Sequence, residues 1–429
     1  MCNVQLPVKS EMDPRYEVYD RPSACRSSRK VDHIIVSPRK SESGVTSVGG
    51  LYEFDINMDN RYIDPRSMMI ETQTTYTVAS ASITAGNNAY PVCGSASKFR
   101  SATFLIKNQA VDTNLQPGLV QYFNALMYYT KNRLDTSGMT EGLVLNSANI
   151  VSGSIATVIS GTNYAEYNRQ ALIVGGAADS QLTPLSAILG ICDTPHFIPA
   201  NDIQVQLERA DDNKVLVAMN GAAAFSIAKI RLHADVYDPS PETESYLRKS
   251  GGKIVIPFRA YQHDETSISG TTSTLKATPL APTGCVAWVS DQGWGSSYKQ
   301  RDDKTFDRAA VSRVELYADG KLYPSQPADY TQGTSMVDAY QKYMALAGKI
   351  NDPNGPALTY VQFRDYFQFH TVDYDDKSRC GIPSLDAGIK NVEFKMTHSA
   401  SQSSKQLHMI TFCDRLLEIS KDGPIQLIH

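Results

Sequence analysis

The residues best equipped for chemistry are His263-Asp264-Glu265, an imidazole beside two carboxylates. Such groups could ligate a metal or relay a proton, provided that their donor atoms converge on one point. Neighbouring residues of an extended chain point apart, and Ser, Thr and Gly residues follow at once, so the run reads as a solvated polar loop. Asp373-Tyr374-Asp375-Asp376 offers three carboxylates in four residues, a spacing that could cradle Ca²⁺. It lacks the EF-hand spacing and its glycine, and reads as an acidic loop closing a strand over Tyr366 to Val372. Asp302-Asp303, flanked by Arg301 and Lys304, reads as a solvated face. His233, His398 and His408 fall on or beside candidate strands, where a histidine satisfied by its neighbours is the usual case.

The seven cysteines (Cys2, Cys25, Cys93, Cys192, Cys285, Cys380, Cys413) are scattered and form no CxxC pair. A zinc ribbon or thioredoxin-type site is therefore unsupported, and reduced, mostly buried thiols are expected. A cysteine nucleophile would need partners distant in the chain, and nothing local signals one. There is no Gly-x-Ser-x-Gly and no His-Glu-x-x-His, and the Gly-Gly pairs at 49–50, 175–176 and 251–252 lead into no phosphate loop. The reading is no catalytic residue, no cofactor-binding residue, no metal ligand, no cofactor, and no enzyme. Trp288 and Trp294 bracket Ser290 to Gly293, with Tyr298 beyond. Exposed aromatics there could stack on sugars or meet a neighbouring subunit; partial burial at a loop base is the plainer reading.

The elements around these residues are short, extended and β-rich. With 429 residues, 41% hydrophobic and 20% charged, the chain is comfortable for two ordinary domains. Its 41 basic and 45 acidic residues give a net charge of −4, which speaks against bulk nucleic-acid binding. No apolar run approaches the roughly 20 residues of a membrane-spanning helix, and the first residues carry no signal-peptide core. Ile203 to Glu208 and Ile230 to Val236 alternate apolar and polar, as strands with one wet face do.

One order of features occurs twice. Arg313 to Leu346 reads as a strand (Val314 to Tyr317), a turn at Asp319-Gly320, a Pro-punctuated loop, and a helix capped by Thr334 or Ser335. That helix carries Val337, Tyr340, Tyr343 and Met344 on one face. Arg100 to Tyr129 repeats it with a strand at Thr103 to Ile106, a turn at Asn108-Gln109, and a helix over 118–130. Leu119, Tyr122, Phe123, Leu126 and Met127 form the apolar face of that helix. Further on, Ile203 to Glu208 corresponds to Val392 to Met396, and Ile230 to Tyr237 to the run His408 to Glu418. A repeat near half the chain length means one domain made twice.

The expected fold is all-β with short helices, two tandem eight-stranded jelly-roll β-sandwiches. Residues 1–50 form a flexible, net positive N-terminal arm, with eight basic and five acidic residues in 1–40. The first roll spans 51–240, a linker 241–253, and the second roll with a C-terminal tail 254–429. The boundary rests on Pro239, Pro241 and Gly251-Gly252.

With Val314 to Tyr323, Phe363 to Asp373 and Phe412 to Ile419 as its carriers, the chain resembles the double jelly-roll major capsid proteins of the hexon-like lineage. Those of Polinton/Maverick elements and adintoviruses are the nearest in texture. The resemblance implies a major capsid protein of a double-stranded DNA virus or virus-like element, with upright rolls and trimeric, pseudo-hexameric capsomers building an icosahedral shell. It implies as partners the chain itself as homotrimer, neighbouring capsomers and penton or minor capsid proteins, and through the arm a genome or inner membrane. No small-molecule substrate is implied. The location would be the virion, after synthesis inside the host cell and without signal-peptide secretion. The alternatives are a scaffold-type relative of the same fold or an unrelated β-sandwich carbohydrate-binding protein. A cupin-like metal enzyme would want His and Glu clustered on strands, and among His370, His398 and His408 no Glu has that spacing.

Overall fold

The computed structural model describes residues 28–40, 49–78, 89–143, 179–218, 223–239, 241, 253–291, 304, 306, 309–322, 328–329, 336–350, 352, 354–373, 391–420 and 425–428. The first half holds β1 (Ser28–Val36), β2 (Leu51–Ile56), β3 (Tyr62–Val78), β4 (Ala89–Pro91), β5 (Phe99–Ile106) and β6 (Gln109–Asn114). Helix α1 (Pro117–Tyr128) follows, then β7 (Asp179–Pro184), β8 (Ile198–Pro199), β9 (Ile203–Arg209), β10 (Leu216–Ala218) and β11 (Ala223–Pro239). Two sheets face each other, ordered β1-β11-β3-β7 and β2-β9-β5-β6; β8 pairs with β3, and β4 with β10. Apart from the β5–β6 hairpin and the short β8, which follows β7 in its own sheet, successive strands of these two sheets cross from one to the other, which is the winding of a jelly roll.

The second half holds β12 (Lys253–Ala277), β13 (Pro282–Asp291), β14 (Val311–Ala318), β15 (Lys321–Leu322) and β16 (Ala328–Asp329). Helices α2 (Val337–Leu346) and α3 (Tyr360–Tyr366) come next, then β17 (Phe369–Asp373), β18 (Val392–Ser420) and β19 (Gln426–Ile428). Here two long strands each serve as two. β12 pairs residues 253–268 with 405–420 and residues 272–277 with 392–397. The ladder breaks around Gly270, whose φ of 88° a side chain would resist. On one side β13 and β17 continue the sheet; on the other, β14 and β15 do. Strand for strand this reproduces the two sheets of the first half.

The repeat is exact in length through one strand and the turn after it. β5 (99–106) and β14 (311–318) are offset by 311 − 99 = 212, and so are the turns that follow. Lys107 and Asn108 have φ of 49° and 61°; Asp319 and Gly320 have 48° and 77°. Two consecutive positive φ values are the tight hairpin turn whose twist suits antiparallel strands. The first turn therefore sits one residue earlier than the Asn108-Gln109 expected.

Other expectations shift for physical reasons. Ser28–Val36, inside the stretch read as an arm, is strand β1, because β11 supplies the ladder that this segment could not make alone. Met336 precedes α2 without a side-chain cap, Thr334 and Ser335 lie outside the described residues, and Val337 is exposed. The stretch expected as a strand over Tyr366 to Val372 instead ends α3 at Tyr366 and begins β17 at Phe369. Leu185–Ala187 and Gly190–Asp193 form two short 3₁₀ turns. The apolar runs Ile150 to Ile159 and Gln170 to Val174, whose composition suits strands, and the linker residues 242–252 lie outside the described residues.

Three apolar clusters follow from this winding. One fills the first roll and extends onto Ile256, Phe258, Ala260, Leu417 and Ile419 of the long β12–β18 ladder. Another fills the second roll around Phe394, Met396 and Met409. The third lies between the rolls and contains α1, α2 and the outer face of β13 and β18.

Candidate functional site at the seam between the rolls

Helix α1 has no wet side: every residue from Pro117 to Met127 is buried. Its two amide side chains are hydrogen-bonded inside, Gln121 to Ser95 and Ala96 and Asn124 to the Ala187 carbonyl, and the helix forms the centre of the seam. Phe123 packs against Trp288 of the second roll at 4.2 Å between ring centres, and edge-on to Phe369 at 5.7 Å. Tyr343 of α2 stacks on Phe363 and donates its hydroxyl hydrogen to the Leu126 carbonyl oxygen at 2.5 Å. That carbonyl belongs to the last turn of α1, where helices leave oxygens unpaired.

Other polar groups are paired at the seam. Lys304 is buried and donates to Ser97 Oγ at 2.6 Å, so it is not the solvated flank expected beside Asp302-Asp303. Arg259 of β12 reaches Asp414 at 3.2 Å and Tyr128 of α1 at 3.5 Å. Gly190 lies against the backbone of Arg259, and a Cβ there would stand 1.4 Å from its carbonyl oxygen. The arrangement does mechanical work: it locks two rolls into one body.

The candidates for chemistry fall as follows. His263-Asp264-Glu265 is not a loop but part of β12, so His263 and Glu265 share one face of the strand and Asp264 takes the other. Glu265 stands opposite His408 of β18. His263 Nε2 lies 3.3 Å from His408 Nδ1, and Glu265 Oε2 lies 3.5 Å from the same Nδ1. His408 is buried, stacked on Trp288 at 4.9 Å, with its Nε2 2.8 Å from Ser290 Oγ. The hydrogen bond and charge of His408 hold the Glu265 carboxyl below its usual range. Sequence reasoning missed this convergence because it weighed neighbours and not the i, i+2 spacing of a strand. The third member, His408, also comes from far along the chain.

His398 is satisfied as expected, by the Ala309 carbonyl at 2.8 Å and Ser273 Oγ at 2.9 Å. His370 is buried on β17, and burial pushes its pKa down to about 4. Trp288 is fully buried and offers no platform to a sugar. Cys93, Cys192, Cys285 and Cys413 are buried thiols; burial raises the last to about 12, away from thiolate chemistry. Asp302, Asp303, Asp375, Asp376, Trp294, Tyr298, Cys2, Cys25 and Cys380 lie outside the described residues.

Two tandem jelly rolls of one winding, joined through a helix-filled seam, define the class: the double jelly roll. No protein-family model and no curated protein matches the chain. Solved structures do. A chain of the Sputnik virophage aligns with a TM-score of 0.60 and 11% identity, covering 98% of this chain and 93% of that one. The capsid of the virus PBCV-1 aligns at 0.55 and 10%, covering 96% and 99%. The mavirus major capsid protein aligns at 0.53 and 10%, covering 97% and 94%. The chain has the double jelly-roll fold of these viral capsid proteins over nearly its whole length.

Proposed function

We propose that the chain is the major capsid protein of a double-stranded DNA virus or virus-like element, and that its role is structural. The observation that carries this is the duplicated winding fixed into one body by the buried seam. Two similar corners per chain allow three chains to close into a ring with six near-equivalent corners, which can then tile a shell. A loosely hinged pair of rolls could not hold those corners in register.

The first roll in this reading begins at β1, so the arm is what precedes Ser28. Residues 1–27 carry four basic residues (Lys9, Arg15, Arg21, Arg26) and four acidic ones (Glu11, Asp13, Glu17, Asp20). That balance favours a contact with a neighbouring chain over one with phosphates. Capsomer neighbours and penton or minor capsid proteins are the remaining partners, and the virion is the location. Negative-stain microscopy of the purified chain tests the reading. Capsomers of hexagonal outline, or closed particles, are the expected result; dispersed single chains retained on a glycan column would overturn it.

A further inference from the structure

The contact between His263 and His408 has a twin in the other roll. His33 of β1 and His233 of β11 approach through the same atoms, Nε2 to Nδ1, at 3.2 Å. In both rolls the first histidine stands two residues before the residue paired with the second. Ile35 lies opposite His233, and Glu265 lies opposite His408. The third strand matches as well. Glu71 contacts His233 Nε2 at 3.2 Å, where Ser290 contacts His408 Nε2 at 2.8 Å.

The rolls differ at the opposing residue. In the first roll it is Ile35, exposed and unable to ligate. The carboxylates there sit on the far nitrogens, Asp235 on His33 Nδ1 at 2.8 Å and Glu71 on His233 Nε2. In the second roll Glu265 brings a carboxylate oxygen to the side where the two imidazoles meet. His263, Glu265 and His408 then offer three donor atoms within 4.8 Å of one another. A tetrahedral zinc ion with bonds of about 2.0–2.2 Å keeps its ligand atoms about 3.3–3.5 Å apart. Two of the three edges, at 3.3 and 3.5 Å, meet that requirement, and the third lies within 4.8 Å.

The geometry points to a divalent transition-metal site of the zinc class in the second roll, held by His263 Nε2, His408 Nδ1 and Glu265, with water in the fourth position. Two imidazoles favour such an ion over Ca²⁺ or Mg²⁺, which take oxygen ligands. On losing the Nδ1 proton that faces Glu265, His408 keeps Nε2–H for Ser290 and turns its Nδ1 lone pair to the ion, the usual device for orienting a metal-bound histidine. Glu265 is exposed, which gives the ion a way in. The bound ion would pin β12 to β18, the first and last long strands of the second roll.

Full-length protein stripped by a chelator is titrated with ZnCl₂ by calorimetry and with CoCl₂ by visible absorption. The expected result is one ion per chain and the intense visible bands of four-coordinate Co²⁺. Glu265→Gln, an isosteric change at an exposed side chain, and His263→Asn each weaken binding at least about tenfold. His33→Asn in the first roll leaves both affinity and stoichiometry unchanged. Absence of binding by the wild-type chain overturns the proposal. So does a Glu265→Gln variant that binds as tightly as wild type, or loss of the ion in His33→Asn but not in His263→Asn.

Discussion

Asp112 is a buried carboxylate on β6 that accepts the Ile191 backbone N–H at 3.2 Å. Burial raises its pKa to about 6, against the opposing pull of that hydrogen bond and of Arg415. The folded chain therefore takes up this proton more readily than the unfolded one, whose carboxyl titrates near 3.8. The resulting stability is complete below about pH 4 and lost as the pH rises through about 6, to the extent of roughly 3 kcal/mol. Asp112→Asn should remove that dependence, so that urea unfolding at pH 4.5 and pH 7 differs less in the variant than in wild type. Equal pH dependence in both would show that Asp112 is ionised throughout. A second residue-scale expectation concerns Gly190, where the Arg259 carbonyl fills the space of a side chain. Gly190→Ala should cost about 3 kcal/mol or more, read as a lowered urea midpoint, because backbone and not a flexible side chain must move. Neither position is legible from sequence, since each depends on a partner brought close only by the fold.

Elements were more readable where local pattern decides. The alternation in Ile203 to Glu208 and the turn at Asp319-Gly320 reappear in the structure because period and positive φ are local properties. β1 was obscured because its ladder partner, β11, lies some 200 residues away. Helix α1 carries the element-scale prediction. Tyr343→Phe keeps the stacking on Phe363 but strands the buried Leu126 carbonyl. An unpaired buried acceptor costs about 1–3 kcal/mol. Denaturant unfolding should show that loss with the slope unchanged, and an unaltered stability would mean that the seam relaxes to repair the bond.

At the scale of the molecule, the internal repeat was the most legible property. Its order survived even where its register was off by a residue, because a jelly roll is specified by the sequence of strands, turns and helix more than by any motif. What the sequence could not convey is how the copies join. The first roll's core runs onto the long β12–β18 ladder, and α1 and α2 meet in a cluster belonging to neither roll alone. Rigidity of that join is what the proposed shell role requires. Size-exclusion chromatography with light scattering on the full chain measures its consequence most directly. A species of three times the 47.2 kDa chain mass, growing to larger assemblies with concentration, is the result expected. A single-chain mass that persists at every concentration would contradict it.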